Sequence, residues 1–132
     1  MGDDAMRIAT SLFRMAYGAW FAFWGIAPLL GVAPPPTADP EALALLDANR
    51  ATFSMDLAQA SFIVGGLALM IGRTAPLGIA VLAPTVAWIF LFHLTLSGDV
   101  VWGSLWFAGW LILAWWHREA FRPLVGLDGK SA

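Results

Sequence analysis

Charged residues punctuate this chain at wide intervals, leaving four uncharged stretches at 15–38, 57–72, 74–98 and 100–117. A helix needs roughly 20 mostly apolar residues to cover about 30 Å of hydrocarbon at 1.5 Å per residue. The third and fourth stretches bracket that length and predict spans. The Pro34-Pro35-Pro36 run cuts the first back to Ala33, while Ile8 to Phe13 extend it backwards, because Arg14 can turn its long side chain toward the interface or a partner. The second is slightly short, so a re-entrant or interfacial segment is its alternative. Charge arbitrates. If all four cross, Arg7, Arg14, Arg73, Arg118, Arg122 and Lys130 share one side, and Arg50 stands on the other with Asp39, Glu41, Asp47 and Asp56. If the second fails to cross, the cations divide far more evenly. The excess of cations on the cytoplasmic side of membrane proteins therefore favours four spans with both termini cytoplasmic.

The connections fit that reading. Asp39 is a plausible N-cap for a short helix running from Pro40 through Leu46, inside a periplasmic loop over 34–52. Leu43, Leu45 and Leu46 form a strip that suits the outer interface. Gly72-Arg73-Thr74-Ala75-Pro76 and Ser97-Gly98-Asp99 are tight turns, so successive helices pack as antiparallel neighbours. The expectation is an all-α, integral-membrane, up-down four-helix bundle, one domain over 1–132 with spans at about 8–32, 54–72, 75–97 and 100–118. The Met1-Gly2-Asp3-Asp4 start is not the cationic opening of a cleaved signal peptide, and Met6 stands where myristoylation expects Ser or Thr.

Composition sharpens the class. The chain is 60% hydrophobic and 12% charged, against about 45–50% and about 25% in soluble domains. Eight Trp and nine Phe are too many for so small a core to bury, which leaves aromatic surface for lipid. A net charge of −2 offers no basic field to nucleic acid, and the absence of cysteine removes disulfide, thiolate-metal and iron–sulfur chemistry.

Several residues could carry function. His93 lies in an otherwise apolar segment, and an intramembrane ionisable group points to function by default. Asp56, Gln59 and Asp99 fall near the same depth and could cluster with it, although the plainer reading is a neutral histidine hydrogen-bonding between helices. These groups lack the ligand spacing of a metal motif, and His93 and His117 sit at mismatched depths for a haem. Trp20 and Trp24, and Trp102, Trp106 and Trp110, repeat every four residues, so a quinone or lipid tail could lie between rings. Trp24, Trp88 and Trp110 are the deeper ones, whose indole N–H groups need partners. Ala58, Ser61, Gly65, Ala68 and Gly72 form a small-residue stripe for close helix packing, with Gly66 expected to matter less than Gly65 if only the Gly65 face is buried. Pro84 frees the Ala80 carbonyl and predicts a bend, with Thr85 placed to re-satisfy the backbone. His117, Arg118 and Arg122 mark the inner interface, where Pro123 ends the helix.

The order of these motifs resembles the DoxX-like family of small four-helix bacterial membrane proteins. The resemblance covers nearly the whole chain. It rests on Pro34-Pro35-Pro36 before Pro40-Glu41-Ala42, Gly66 to Arg73, Pro76-Leu77, Leu82-Ala83-Pro84 running into Leu91-Phe92-His93, and the His117 to Leu124 ending with its Phe-Arg-Pro-Leu. Where relatives commonly carry Lys and Glu in the second span and Asn before the histidine, this chain has Gln59, Phe62 and Trp88, so only His93 carries over cleanly. The resemblance implies a multi-pass inner-membrane protein without catalysis of its own, an accessory or quinone-proximal subunit of a membrane redox system. Its partners would be membrane lipids, an oxidoreductase subunit or further copies of the chain. The alternative is a lipid- or small-molecule-binding or transport protein, with the Pro84 and His93 region lining a path.

Overall fold

A computed structural model describes residues 2–35 and 37–126. Pro36 of the proline run and Lys130 of the inner-side cations lie outside the described residues. The fold is all-helical, without a strand among the described residues. Helix α1 (Asp3–Ile26) begins at Asp3 rather than near position 8, with Asp3 and Asp4 in the first turn, where carboxylates complement the positive end of the helix dipole. Helical hydrogen bonding thus runs past the boundary that hydropathy alone suggests. A 3-10 turn over Ala27–Leu30 closes the segment, and Gly31 at φ 75° allows the Val32 N–H to donate to the Ala27 carbonyl at 2.9 Å.

Helix α2 (Pro40–Arg50) starts where Asp39 caps it, its Oδ1 accepting from the N–H groups of Glu41 and Ala42, both at 2.9 Å. The helix rests on α3 and on the His93–Ser97 turn. Its anchor is the fully buried Ala42, whereas Leu43 is exposed and Leu45 and Leu46 are half-buried. Contact with α3 thus runs through a methyl side chain that lets the backbones approach closely, and the leucine strip stays partly outward.

Helix α3 (Phe53–Met70) leads through a 3-10 turn over Gly72–Thr74 into α4 (Ala75–Phe92), and the Thr74 hydroxyl donates to the Ala68 carbonyl at 2.8 Å. Helix α4 passes unbroken through Pro84, which is exposed, and finishes as a π turn over His93–Ser97. Gly98 at φ 71° reverses the chain, and Asp99 caps α5 (Val100–Trp116) through the Trp102 N–H at 3.4 Å. A short α6 (Arg118–Phe121) and a 3-10 turn over Arg122–Val125 complete the described chain.

Two helical stretches, Phe53–Met70 and Gly72–Ser97, are long and apolar enough to cross a membrane, and Val100–Trp116 is a shorter apolar helix. Contacting residues place the long helices antiparallel in pairs. Gly18 faces Gly66 and Leu69 while Gly25 faces Ile63 and Gln59, so α1 runs against α3. Gly65 meets Leu82 and Gly78 meets Leu69, which sets α3 against α4 in the same way. The two glycines of α3 thus serve two different neighbours. A Cβ on Gly66 would come within 2.5 Å of the Gly18 carbonyl, and one on Gly65 within 2.6 Å of Leu82 Cγ. The condition for Gly65 to outrank Gly66, burial of the Gly65 face alone, is not met, since both faces of α3 are covered. Of the remaining stripe, Ala68 is half-buried, Ser61 donates to the Leu57 carbonyl of its own helix, and Gly72 lies beyond the end of α3. Leu69, Ile79, Leu82, Val86 and Leu113 form the fully buried centre, joined by Tyr17 and Phe21.

Candidate functional site: the α1–α5 seam and its end

Helices α1 and α5 meet differently from the other pairs, through long aromatic side chains. Trp20 stacks on Trp106 with centroids 4.8 Å apart and planes at 14°, Tyr17 and Phe21 lean on the same indole, and Phe13 meets Trp116 edge-on. The Tyr17 hydroxyl crosses the seam to donate to the Trp106 carbonyl at 2.7 Å. Rings hold the helices together without close backbone approach, and this leaves room. A cleft of about 290 Å³ opens between Phe13 and Tyr17 of α1 and Leu105, Trp106, Ala108, Gly109 and Ile112 of α5, and its accessible lining is wholly apolar. That volume lies close to the lower bound of roughly 300 Å³ for small-ligand pockets. Beside it, the buried Nε1 of Trp106 has no hydrogen-bond partner among the described residues.

A second cleft, of about 300 Å³, opens at the end of the molecule where α1 begins and α3 and α5 finish. Met6, Arg7, Thr10, Ser11 and Arg14 line it from α1, with Gly72 and His117 opposite. Arg14 is only 8% exposed, and its Nη1 donates to the Leu69 carbonyl. That carbonyl is one of the last of α3, where helical acceptors lack partners and the dipole is negative. The partner that Arg14 finds is thus a helix end, and the interface is not its destination. His117 Nδ1 lies 3.0 Å from the Leu113 carbonyl, an acceptor, so this nitrogen carries the proton and Nε2 is the ring's remaining polar atom.

The groups singled out around His93 do not form one site. His93 Nδ1 bonds Ser97 Oγ at 2.6 Å within the same π turn, and the ring packs on Gly103 of α5. Its contact with the neighbouring helix is thus packing, and the expected interhelical hydrogen bond is replaced by a local one. Asp99 is occupied in capping α5, Asp56 is exposed in the first turn of α3, and the Gln59 backbone faces Gly25 of α1. No hydrogen bond or ion pair joins these four among the described residues, nor do three His, Asp or Glu side chains there converge in a way that could hold a metal.

Of the three deep tryptophans, Trp110 is satisfied by donating to the Ile79 carbonyl at 2.9 Å. That carbonyl neighbours the one Pro84 leaves open, so the polar contact at this level comes from α5. Trp88 stacks on Phe92 and Trp24 packs against Trp20 and Phe23, and neither lines the seam cleft. Of the residues that do, above all Phe13, Tyr17 and Trp106, the four-residue aromatic repeats single out only Trp106. No local pattern marks Tyr17, whose importance lies in a bond to the far end of the chain. After α5, Arg118 donates to the Trp115 carbonyl and lies 4.7 Å above the Trp115 ring, and Arg122 pairs with Glu119 at 2.7 Å. The hydrogen bond from Arg122 holds the Glu119 carboxyl below the usual carboxylate range.

No protein-family model, curated protein or solved structure was found to match this chain.

Proposed function

We propose that this chain is a DoxX-like, multi-pass inner-membrane protein without catalysis of its own, which holds the apolar chain of an amphiphile in the α1–α5 seam. The observation that carries the reading is the apolar cleft at Phe13, Tyr17, Trp106 and Gly109, walled by rings on a face built to stay open. Four crossings with cytoplasmic termini are supported by the crowding of Arg7, Arg14 and His117 at one end, close to the Gly72–Thr74 turn that holds Arg73. Burial supports it too. Only 17% of the apolar window in Phe53–Met70 and 33% of that in Gly72–Ser97 is buried, leaving large side chains such as Leu57, Val64, Leu67 and Leu91 outward. A core helix of a soluble protein hides such residues, and a bilayer solvates them.

A quinone-proximal redox subunit is the form of this proposal in which the bound chain is isoprenoid, and a lipid-binding protein the form in which it is acyl. Purification in mild detergent followed by mass spectrometry of extracted lipids and quinones separates them. Wild-type protein should retain about one amphiphile per chain, and Ala108→Phe, which fills the cleft from an exposed position, should lose it. A folded Ala108→Phe protein with the wild-type complement of lipid and quinone would falsify the proposal.

A further inference from the structure

The second cleft carries a conclusion of its own, independent of what occupies the seam. Arg14 is buried, permanently charged and without a carboxylate partner among the described residues, whose ion pairs are Arg50–Asp47, Arg118–Glu119 and Arg122–Glu119. A guanidinium has five N–H donors. Leu69 takes one of them, and no other hydrogen bond of this side chain is found among the described residues. Capping α3 thus explains where the side chain points and leaves most of its donors unspent. Its remaining nitrogens are not sealed away, since the one wholly enclosed, unpartnered side-chain polar atom among the described residues is Trp106 Nε1. They border the cleft, which also takes in Arg7, Ser11 and His117 and whose lining includes no acidic residue among the described residues.

Burying a cation is costly unless it is paired, and a second arginine lining the same cleft raises that cost. The missing component is an anion with several acceptor oxygens, which arginine recognises in a bidentate fashion. We propose that the cleft is a phosphate-binding site in which Arg14 supplies the buried fork and Arg7 the second cation, with Ser11 and His117 offering hydrogen bonds. The phosphate is either the phosphodiester of a lipid headgroup or a free inorganic ion.

Gly72 provides a test that spares the α3 cap. A Cβ there would lie 3.4 Å from Arg14 Nη2, in ordinary contact. Gly72→Asp therefore places a built-in carboxylate against the guanidinium and competes with any external anion while Arg14 stays in place. Arg7→Gln, on the exposed side of α1, removes the second cation without touching the core. The full chain in maltoside micelles is titrated with dioleoylphosphatidylglycerol, with dioleoylglycerol as the same chains lacking phosphate, and with sodium phosphate against sodium chloride at equal ionic strength. Native mass spectrometry and the thermal midpoint are read out. Wild-type protein should prefer the phosphatidylglycerol to the diacylglycerol by about tenfold or more if the ligand is a headgroup. If the ligand is the free ion, inorganic phosphate should raise the midpoint where chloride does not. Gly72→Asp should lose about tenfold in affinity for whichever probe binds, and Arg7→Gln severalfold. The proposal fails if neither probe binds wild-type protein. It also fails if Arg7→Gln binds as wild type does, a result that stands even should Gly72→Asp not fold.

Discussion

Replacing Gly66 with alanine tests whether the α1–α3 contact is set by backbone rather than by side chains. The added methyl would stand 2.5 Å from the Gly18 carbonyl oxygen and 2.6 Å from the Ala22 nitrogen, both main-chain atoms. Neither can rotate away, so restoring ordinary contact near 3.5 Å requires α1 to retreat by about 1 Å, which forfeits a quarter to half of the dispersion energy at each affected contact. Overpacking of this kind costs roughly 1–3 kcal/mol, while the gain in helix propensity from Gly to Ala returns about 0.5–1 kcal/mol. In Gly65→Ala the nearest atoms are Leu82 Cγ and Cδ2 at 2.6 and 2.9 Å, side-chain atoms of the core that yield more readily than main chain, with the Gly78 carbonyl at 3.3 Å. Its overpacking cost should fall near 1 kcal/mol and be largely offset by propensity. Unfolding in mixed micelles by added sodium dodecyl sulfate, followed by circular dichroism, should rank Gly66→Ala below Gly65→Ala by about 1 kcal/mol or more. Equal stabilities, or the reverse order, would refute the distinction between rigid and yielding neighbours.

The two buried indoles make a second contrast: Trp110→Phe gives up the bond to Ile79 and Trp106→Phe gives up none, so the former should be less stable by about 1 kcal/mol in the same assay. If the His93–Ser97 bond is purely local, His93→Gln stays folded, and Ser97→Ala should cost about 0.5–1.5 kcal/mol on wild type yet almost nothing on His93→Leu. Strict additivity of those two changes would show that the bond contributes nothing. A reporter active only in the cytoplasm should give signal when fused to the C-terminus, and a stably expressed but silent fusion would remove the four-crossing topology. Finally, the lowered Glu119 carboxyl means that the Arg122 pair supports the last turns above the ordinary value of 4.5 and loses that support as pH falls through the lowered value. Amide exchange over 118–125, corrected for its intrinsic rate, should lose protection there, and protection unchanged down to pH 2 would count against the pair.

Much of the helical framework could be read from the residues because its signals are local. Asp39 before Pro40 and Gly98 before Asp99 act within a few positions, and each caps or ends a helix where the pattern puts it. The site was harder to read because its geometry depends on which helices become neighbours. His93 stands out in sequence as a polar residue among apolar ones, yet its bond reaches only Ser97. Arg14 looks like a boundary residue that could turn outward, yet the end of α3 captures it from 55 positions away. Gly66 looks equivalent to any small residue until α1 is found lying on it. In each case the deciding contact is made by a partner that periodicity in a single helix does not reveal.

The seam between α1 and α5 also bears on how the molecule is made. It ties the first long helix to the last, the Tyr17 hydroxyl reaching a carbonyl 89 positions further along, whereas α3–α4 and α4–α5 are hairpins of neighbouring segments. In the proposed membrane-spanning form, a chain inserted from its N-terminus can pair α1 with α3 and α3 with α4 while Tyr17 still lacks its partner on α5. At about 5–20 residues per second, synthesis of the remaining segments takes seconds, long compared with the motions of lipid. Under the proposed function, an amphiphile can therefore meet the aromatic face before α5 exists and be held as that helix docks. On this route the proposed ligand can reach the seam during biogenesis as well as through the open cleft of the finished protein.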